Sequence, residues 1–197
     1  MRITFLGYGT EQLGISQLSA IARARGHDVS LAFTAALFND HYNLDLPSIA
    51  PFFDEQQRIV DDIVALRPDL LACSPLTNTW GWMRAMLTEV CGRLPNLQVI
   101  VGGVHATAAP ERLLALPEVT YVVSGEGDIA FPALLDAMET GGPDEAIDNL
   151  LFCREDGTVV RGKQAGFVQD LDSLPAFDKR LWEDHLRLGD IYLTMVS

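Results

Sequence analysis

QVIVGGVHAT, residues 98–107, decides how this chain is read. An apolar run ends in two consecutive glycines. Strands that are apolar throughout, instead of alternating, are covered on both faces, as in a parallel sheet flanked by helices. Two glycines are a poor way to end a strand unless something must approach bare backbone there. The same kind of run recurs on either side: ITFLG (3–7), VSLAF (29–33), DLLACS (69–74) and VTYVVSG (119–125). Helical spacing fills the gaps. Leu13, Leu18, Ile21 and Ala22 mark a helix over 14–26 that stops at glycine, and Asp54 opens one over 55–66 that ends before Pro68. Thr79 is a candidate cap for a helix to Leu94, Pro110 begins a short helix over 109–116, and a last helix covers 129–138. Five such units with right-handed crossovers predict an α/β fold, a doubly wound five-stranded parallel sheet of flavodoxin-like (Rossmann-like) type in the strand order 2-1-3-4-5. Ligands of such sheets bind beyond the carboxyl ends of the strands, so the loops after strands one, three, four and five should converge.

The 197 residues are 48% hydrophobic, enough for one full core and an appendage. With 14 basic and 27 acidic residues the formal net charge is -13, which leaves no phosphate-neutralising footprint and argues against nucleic acid. The N-terminal apolar run is too short for a membrane span or a signal-peptide core. Cys73, Cys91 and Cys153 are odd in number and widely spaced, so they form neither a disulfide framework nor a metal knuckle. They read as buried free thiols in a reducing compartment, the cytoplasm. Beyond residue 142 the pattern changes. NLLFCRED-GTVVRGK predicts a small β-hairpin turning at Asp156 and Gly157, followed by a connector with Pro175 and a final apolar strand. The expected organisation is a domain over 1–142, hairpin and connector over 143–189, and over 190–197 the first strand of a further domain.

The four loops narrow the chemistry. GYGTEQLG (7–14) lacks the G-x-G-x-x-G spacing of a dinucleotide site and the lysine of a P-loop. A receiver domain needs aspartates where Gly7, Tyr8 and Ser74 stand, and a flavin phosphate loop needs more hydroxyls than Thr10. SPLTNT (74–79), GGVHAT (102–107) and GEGD (125–128) complete a rim that is small, neutral and hydroxyl-rich, with one histidine and one or two acids. It suits a large ligand carrying amides, packed on backbone and taking many neutral hydrogen bonds. No nucleophile triad, paired-carboxylate site or metal cluster is evident, so the chain offers neither catalytic residues nor protein metal ligands.

CSPLTNT, VIVGGVHAT and VVSGEGD, at these strand ends and in this order, resemble the cobalamin-binding domain that precedes many radical S-adenosylmethionine enzymes. DLDSLPAFD (170–178) is similar to the connector of those enzymes, and IYLTMVS to the strand before their three-cysteine iron–sulfur motif. The resemblance covers essentially the whole chain. It implies a cobalamin-binding module whose partner is a radical S-adenosylmethionine barrel, with the 4Fe-4S cluster and S-adenosylmethionine held there and not in these residues. Methyl transfer or related radical chemistry would be the activity of the whole, with no role for nucleic acid or membrane. The nucleotide tail of cobalamin would thread between the loops after strands one, three and four. Ser74, Leu76, Thr77 and Asn78 would line that channel, Gly102 and Gly103 would let the tail lie on backbone beside Val104 and His105, and Gly125, Glu126 and Gly127 would flank its end. In the methyltransferase and mutase branch the first loop carries D-x-H-x-x-G, whose histidine ligates cobalt. Registering its last glycine on Gly14 places Gly9 and Glu11 at the aspartate and histidine positions, so that ligand pair is absent.

Plainer roles stand beside these. His105 reads as a loop histidine that shapes its turn, or as pocket wall. Glu126 either faces the ligand or holds its loop, and Glu11 reads as a solvated acid at a helix start. Trp80 and Trp82 point to different sides of one helix: one belongs to the core, and the other shields the corrin face. His27, His41 and His185 read as surface or loop residues, and the adjacent Asp61 and Asp62 as a solvated helix face. The alternative function is a degenerate module that keeps the fold for docking or substrate gating without bound cobalamin.

Overall fold

The computed structural model describes residues 1–36, 54–143, 145–183 and 185, with positions 39, 40, 44, 45, 48, 49 and 52 between them. Apolar runs become strands where expected. β1 (Arg2–Tyr8), α1 (Leu13–Ala24) and β2 (Asp28–Thr34) form the first unit, followed by the two-residue strands β3 (Asn39–Asp40) and β4 (Leu44–Asp45). The second layer of units is α2 (Gln56–Leu66), β5 (Leu70–Cys73), α3 (Trp80–Arg93) and β6 (Gln98–Val101). Then come α4 (Gly103–Ala108), α5 (Pro110–Leu114), β7 (Tyr121–Val123), α6 (Gly127–Met138), β8 (Leu150–Cys153) and β9 (Val159–Arg161).

The sheet runs β2-β1-β5-β6-β7-β8-β9. Its first five strands are parallel and keep the expected 2-1-3-4-5 order. The predicted hairpin does not stand apart from it. β8 pairs antiparallel with β7, and β9 with β8, so the sheet has seven strands and not five. Side chains alternate across the pleat with period two. Ile3, Phe5, Leu70, Ala72, Ile100 and Val123 face α1 and α6, while Leu6, Leu71, Cys73, Val99, Val101 and Val122 face α2, α3 and α5. Leu150 and Phe152 extend the first core and Leu151 the second, which explains why the hairpin docks here. Among the described residues no helix is long and apolar enough to cross a membrane.

Several local expectations are corrected. Asp54 does open α2, its Oδ1 accepting the Gln56 N–H at 2.9 Å. Thr79 caps nothing: its hydroxyl accepts the Leu76 N–H and lies 3.1 Å from the Leu76 carbonyl, closing the turn before α3. The stretch after β6 is a helix and not a loop, since α4 starts at the second glycine itself. His27 is a core residue, 7% exposed, with Nδ1 3.4 Å from the N-terminal amine. His185 is half-buried with its ring edge-on to Phe33, whereas His41 and the final strand over 190–197 lie outside the described residues. Asp61 and Asp62 are exposed, as expected, and pair with Arg93 and Arg58. All three thiols are free, but only Cys73 is buried; Cys91 is half-buried and Cys153 exposed. Burial pushes the Cys73 thiol up and that of Cys91 to about 11, so neither is a thiolate at neutral pH.

The connector is also more than a connector. Residues 171–182 run across α1, and their last side chains, Leu181 and Trp182, complete the core beneath β2. Trp182 is 2% exposed, donates from Nε1 to Ser16 Oγ at 2.8 Å, and meets Phe33 edge to face.

Candidate functional site

Beyond the carboxyl ends of β5, β6 and β7, on the α1–α6 side of the sheet, lies a cavity of about 1030 Å³. That is at the top of the range of roughly 300–1,000 Å³ usual for small-molecule sites. Its floor is apolar, built by Phe5, Ala72, Ile100 and Val123 from the strands. Leu13, Gly14 and Leu18 of α1 form one wall, and Gly127, Asp128 and Phe131 of α6 another. Residues 171–177 form the outer wall.

Its rim depends on the glycines. Gly103 has φ +80, a left-handed conformation, and a Cβ there would sit 2.7 Å from Ser74 Oγ. This kink turns the chain from β6 straight into α4. Gly102 is different: its φ of -123 suits any residue, and an added Cβ would meet only Val123 Cβ at an ordinary 3.7 Å. A side chain at 102 would therefore fill the cavity without straining the fold. Ser74, also on the lining, makes no hydrogen bond to another described residue and offers its hydroxyl to a ligand. Thr107 ties two rims together, its hydroxyl donating to the Gly103 carbonyl at 3.1 Å and accepting the Gly125 N–H at 3.0 Å.

The expected residues divide cleanly. Gly14, Ser74, Gly102 and Gly103 line the cavity, as do Val104, Gly125, Glu126 and Gly127. The others do not. Gly9 bonds from its N–H to the Thr34 carbonyl at the sheet edge. Leu76, Thr77 and Asn78 stand exposed on the turn outside the cavity. His105 also lies off the lining, with Nδ1 3.2 Å from Thr77 Oγ1 and its ring stacked on Trp80 at 5.2 Å. Trp82 packs on Tyr8, so both tryptophans are half-buried and neither reaches the cavity.

Glu11 departs most from expectation. Its side chain is 1% exposed and points inward, pairing with Lys179 Nζ at 2.5 Å and lying 3.3 Å from Ser16 Oγ. Glu11 thus holds the exit segment, residues 171–182, to the start of α1. Nor is the rim neutral. Asp128 and, from the exit segment, Asp172 join Glu126 on the lining. Burial, together with the neighbouring Glu126, holds the Asp128 carboxyl above its usual range. These groups are acceptors suited to amide N–H and hydroxyl donors.

Sequence reading missed two supports. Asn149, buried and left-handed at φ +64, donates from its amide to the Glu126 carbonyl at 3.2 Å and accepts the Ala165 N–H at 2.8 Å. It locks the loop after β7 to the hairpin; an asparagine just before a strand, able to adopt that conformation, was the available signal. The exit segment was the other, and only its leucines and Pro175 hinted at packing.

Comparison with known proteins agrees with this geometry. Residues 3–135 match the model of the B12 binding domain. The anaerobic magnesium-protoporphyrin IX monomethyl ester cyclase of Synechocystis is 28% identical over 81% of this chain and 30% of its own length. An uncharacterized methyltransferase of Pyrococcus horikoshii is 26% identical over 83% of the chain and 32% of its own. The chain thus spans about a third of these relatives. Among solved structures, the cobalamin-dependent S-adenosylmethionine radical enzyme OxsB, with aqua-cobalamin and S-adenosylmethionine bound, superposes with a TM-score of 0.65 at 14% identity, covering 84% of this chain and 22% of that one. The radical S-adenosylmethionine methyltransferase TsrM from Kitasatospora setae gives 0.63 at 18% identity, over 84% of this chain and 31% of that one. The fold is shared with both enzymes, and with its strand order, its glycine rim and its family match over residues 3–135 the chain belongs to the B12-binding domain family.

Proposed function

We propose that this chain binds cobalamin with the nucleotide tail in the cavity between α1, α6 and the ends of β5–β7. The observation that carries the reading is Gly102, where an absent side chain opens the cavity although the backbone would accept one. The donor set fits the group. An apolar floor receives a flat aromatic base, and Ser74 supplies a hydroxyl beside bare backbone. Glu126, Asp128 and Asp172 accept from sugar hydroxyls or ring amides. Bound cobalamin supplies cobalt-centred methyl or radical chemistry; the chain's residues bind the tail, orient it and keep water from it. We further infer that the chain serves as the cobalamin module of a larger radical S-adenosylmethionine enzyme, most simply a methyltransferase, whose cluster and S-adenosylmethionine site lie in another domain. The free cysteines support a reducing, cytoplasmic setting.

The first loop provides no histidine under the cobalt. Glu11 stands at that position in the resemblance and is engaged with Lys179. Titration with hydroxocobalamin, followed by the cobalt spectrum, tests both statements. The expected result is saturable binding without an imidazole-ligated spectrum, weakened at least about tenfold by Gly102→Leu with an unchanged melting temperature. Absence of binding would favour a docking module, and an imidazole-ligated spectrum lost in His105→Ala would overturn the ligand assignment.

A further inference from the structure

Residues 166–174 present an unusual combination. Among the described residues they hydrogen-bond only to one another: Gln169 to Phe167, and Asp172 and Ser173 to Asp170. Both flanks are fastened. On one side Ala165 N–H donates to Asn149 Oδ1. On the other, the Asp178 carboxylate takes Arg23 Nε at 2.7 Å and Ser19 Oγ at 3.3 Å, Lys179 meets buried Glu11, and Trp182 enters the core. Gln17 of α1 adds a bond to the Pro175 carbonyl at 3.1 Å. Between those fixed ends, Leu171 is 69% and Phe177 40% exposed, yet both contribute to the cavity lining. Apolar side chains that overhang a cavity without being buried lack the contacts that a ligand would supply. Few packed contacts and only local hydrogen bonds also mark the low-stability end of a structure.

Resting on the reading of this cavity as the tail site, we propose that residues 166–177 are a strap whose part over 171–177 forms its outer wall, held by Glu11–Lys179 and Asp178–Arg23, and that cobalamin and strap bind cooperatively. The coupling is reciprocal. A strap held against α1 retains the cofactor, and a bound tail orders the strap by burying Leu171, Leu174 and Phe177. The position that carries a cobalt-ligating histidine in the methyltransferase and mutase branch is here an anchor for this wall.

The test uses the 197-residue chain with hydroxocobalamin as probe. Saturating cobalamin is expected to slow backbone amide exchange over 166–174 by about tenfold or more, while α2 and α3 stay unchanged. Leu171→Ser with Phe177→Ser should raise the dissociation constant about tenfold, and Lys179→Met should speed release about fivefold. Because Leu171 and Phe177 are not core side chains, an unchanged melting temperature separates these effects from misfolding. Cobalamin bound by the parent chain with unaltered exchange in 166–174, and with variant affinities and release rates within about twofold, overturns the strap. Failure of the parent chain to bind overturns the tail-site reading, and the strap with it.

Discussion

At the scale of single residues, the two glycines after β6 have different duties. Gly103 is demanded by the backbone and Gly102 by the space in front of it. Gly103→Ala combines a left-handed Cβ with a contact on Ser74 Oγ, and should cost roughly 2 kcal/mol in urea unfolding. Gly102→Ala should leave stability within about 0.5 kcal/mol of the parent. Equal losses at both positions would contradict this division. His27 gives a second residue-level expectation. Burial, the chief cause, and the adjacent N-terminal ammonium hold its ring below the ordinary 6.5, with Arg25 acting the same way against Glu139 and Asp136. Below about 6.5 the unfolded chain takes up a proton that the folded chain resists. Stability is therefore full above 6.5 and declines as pH falls beneath it. His27→Gln should flatten that part of the urea-midpoint profile between pH 7.5 and 5, and an identical slope would contradict the assignment.

Among the elements, the strands were the most legible. Parallel strands buried on both faces must be apolar along their length, and each such run became a strand within a few residues of its expected ends. α4 was not legible, because a six-residue helix opening on glycine and carrying histidine and threonine has no apolar period to read. What makes it a helix is the kink at Gly103 and the hydroxyl of Thr107. Among the described residues, that side chain also carries the hydrogen bond by which α4 grips the loop after β7. Thr107→Val keeps the shape and removes both bonds. It should cost about 1 kcal/mol and visibly speed amide exchange at Gly125, while the exchange of β1 and β5 remains as before. Unaltered Gly125 protection would mean that the rim is held by Asn149 alone.

For the whole molecule, the sequence places a break near residue 142, yet the sheet and core run past it. Leu150, Leu151, Phe152, Leu181 and Trp182 are all buried, and β8 covers the edge of β7. A chain ending at residue 142 would lose these side chains and expose that edge, and should show no cooperative thermal transition by circular dichroism. A cooperative, monomeric 1–142 fragment would show that hairpin and strap are accessory. About half of the candidate site was visible beforehand, and the residues explain why. Gly102, Gly103, Ser74 and Gly125 announced themselves because strand ends and local periodicity are dictated by neighbours in the chain, which also determine the strands and their α/β alternation; the order of those strands is set by their pairing in the folded sheet. The inward turn of Glu11, the hub at Asn149, the arrival of Asp172 on the rim and the strap were decided only by tertiary structure. Glu11 and Lys179 are 168 positions apart, and no local pattern encodes a partner at that distance until the folded sheet brings the two charges together.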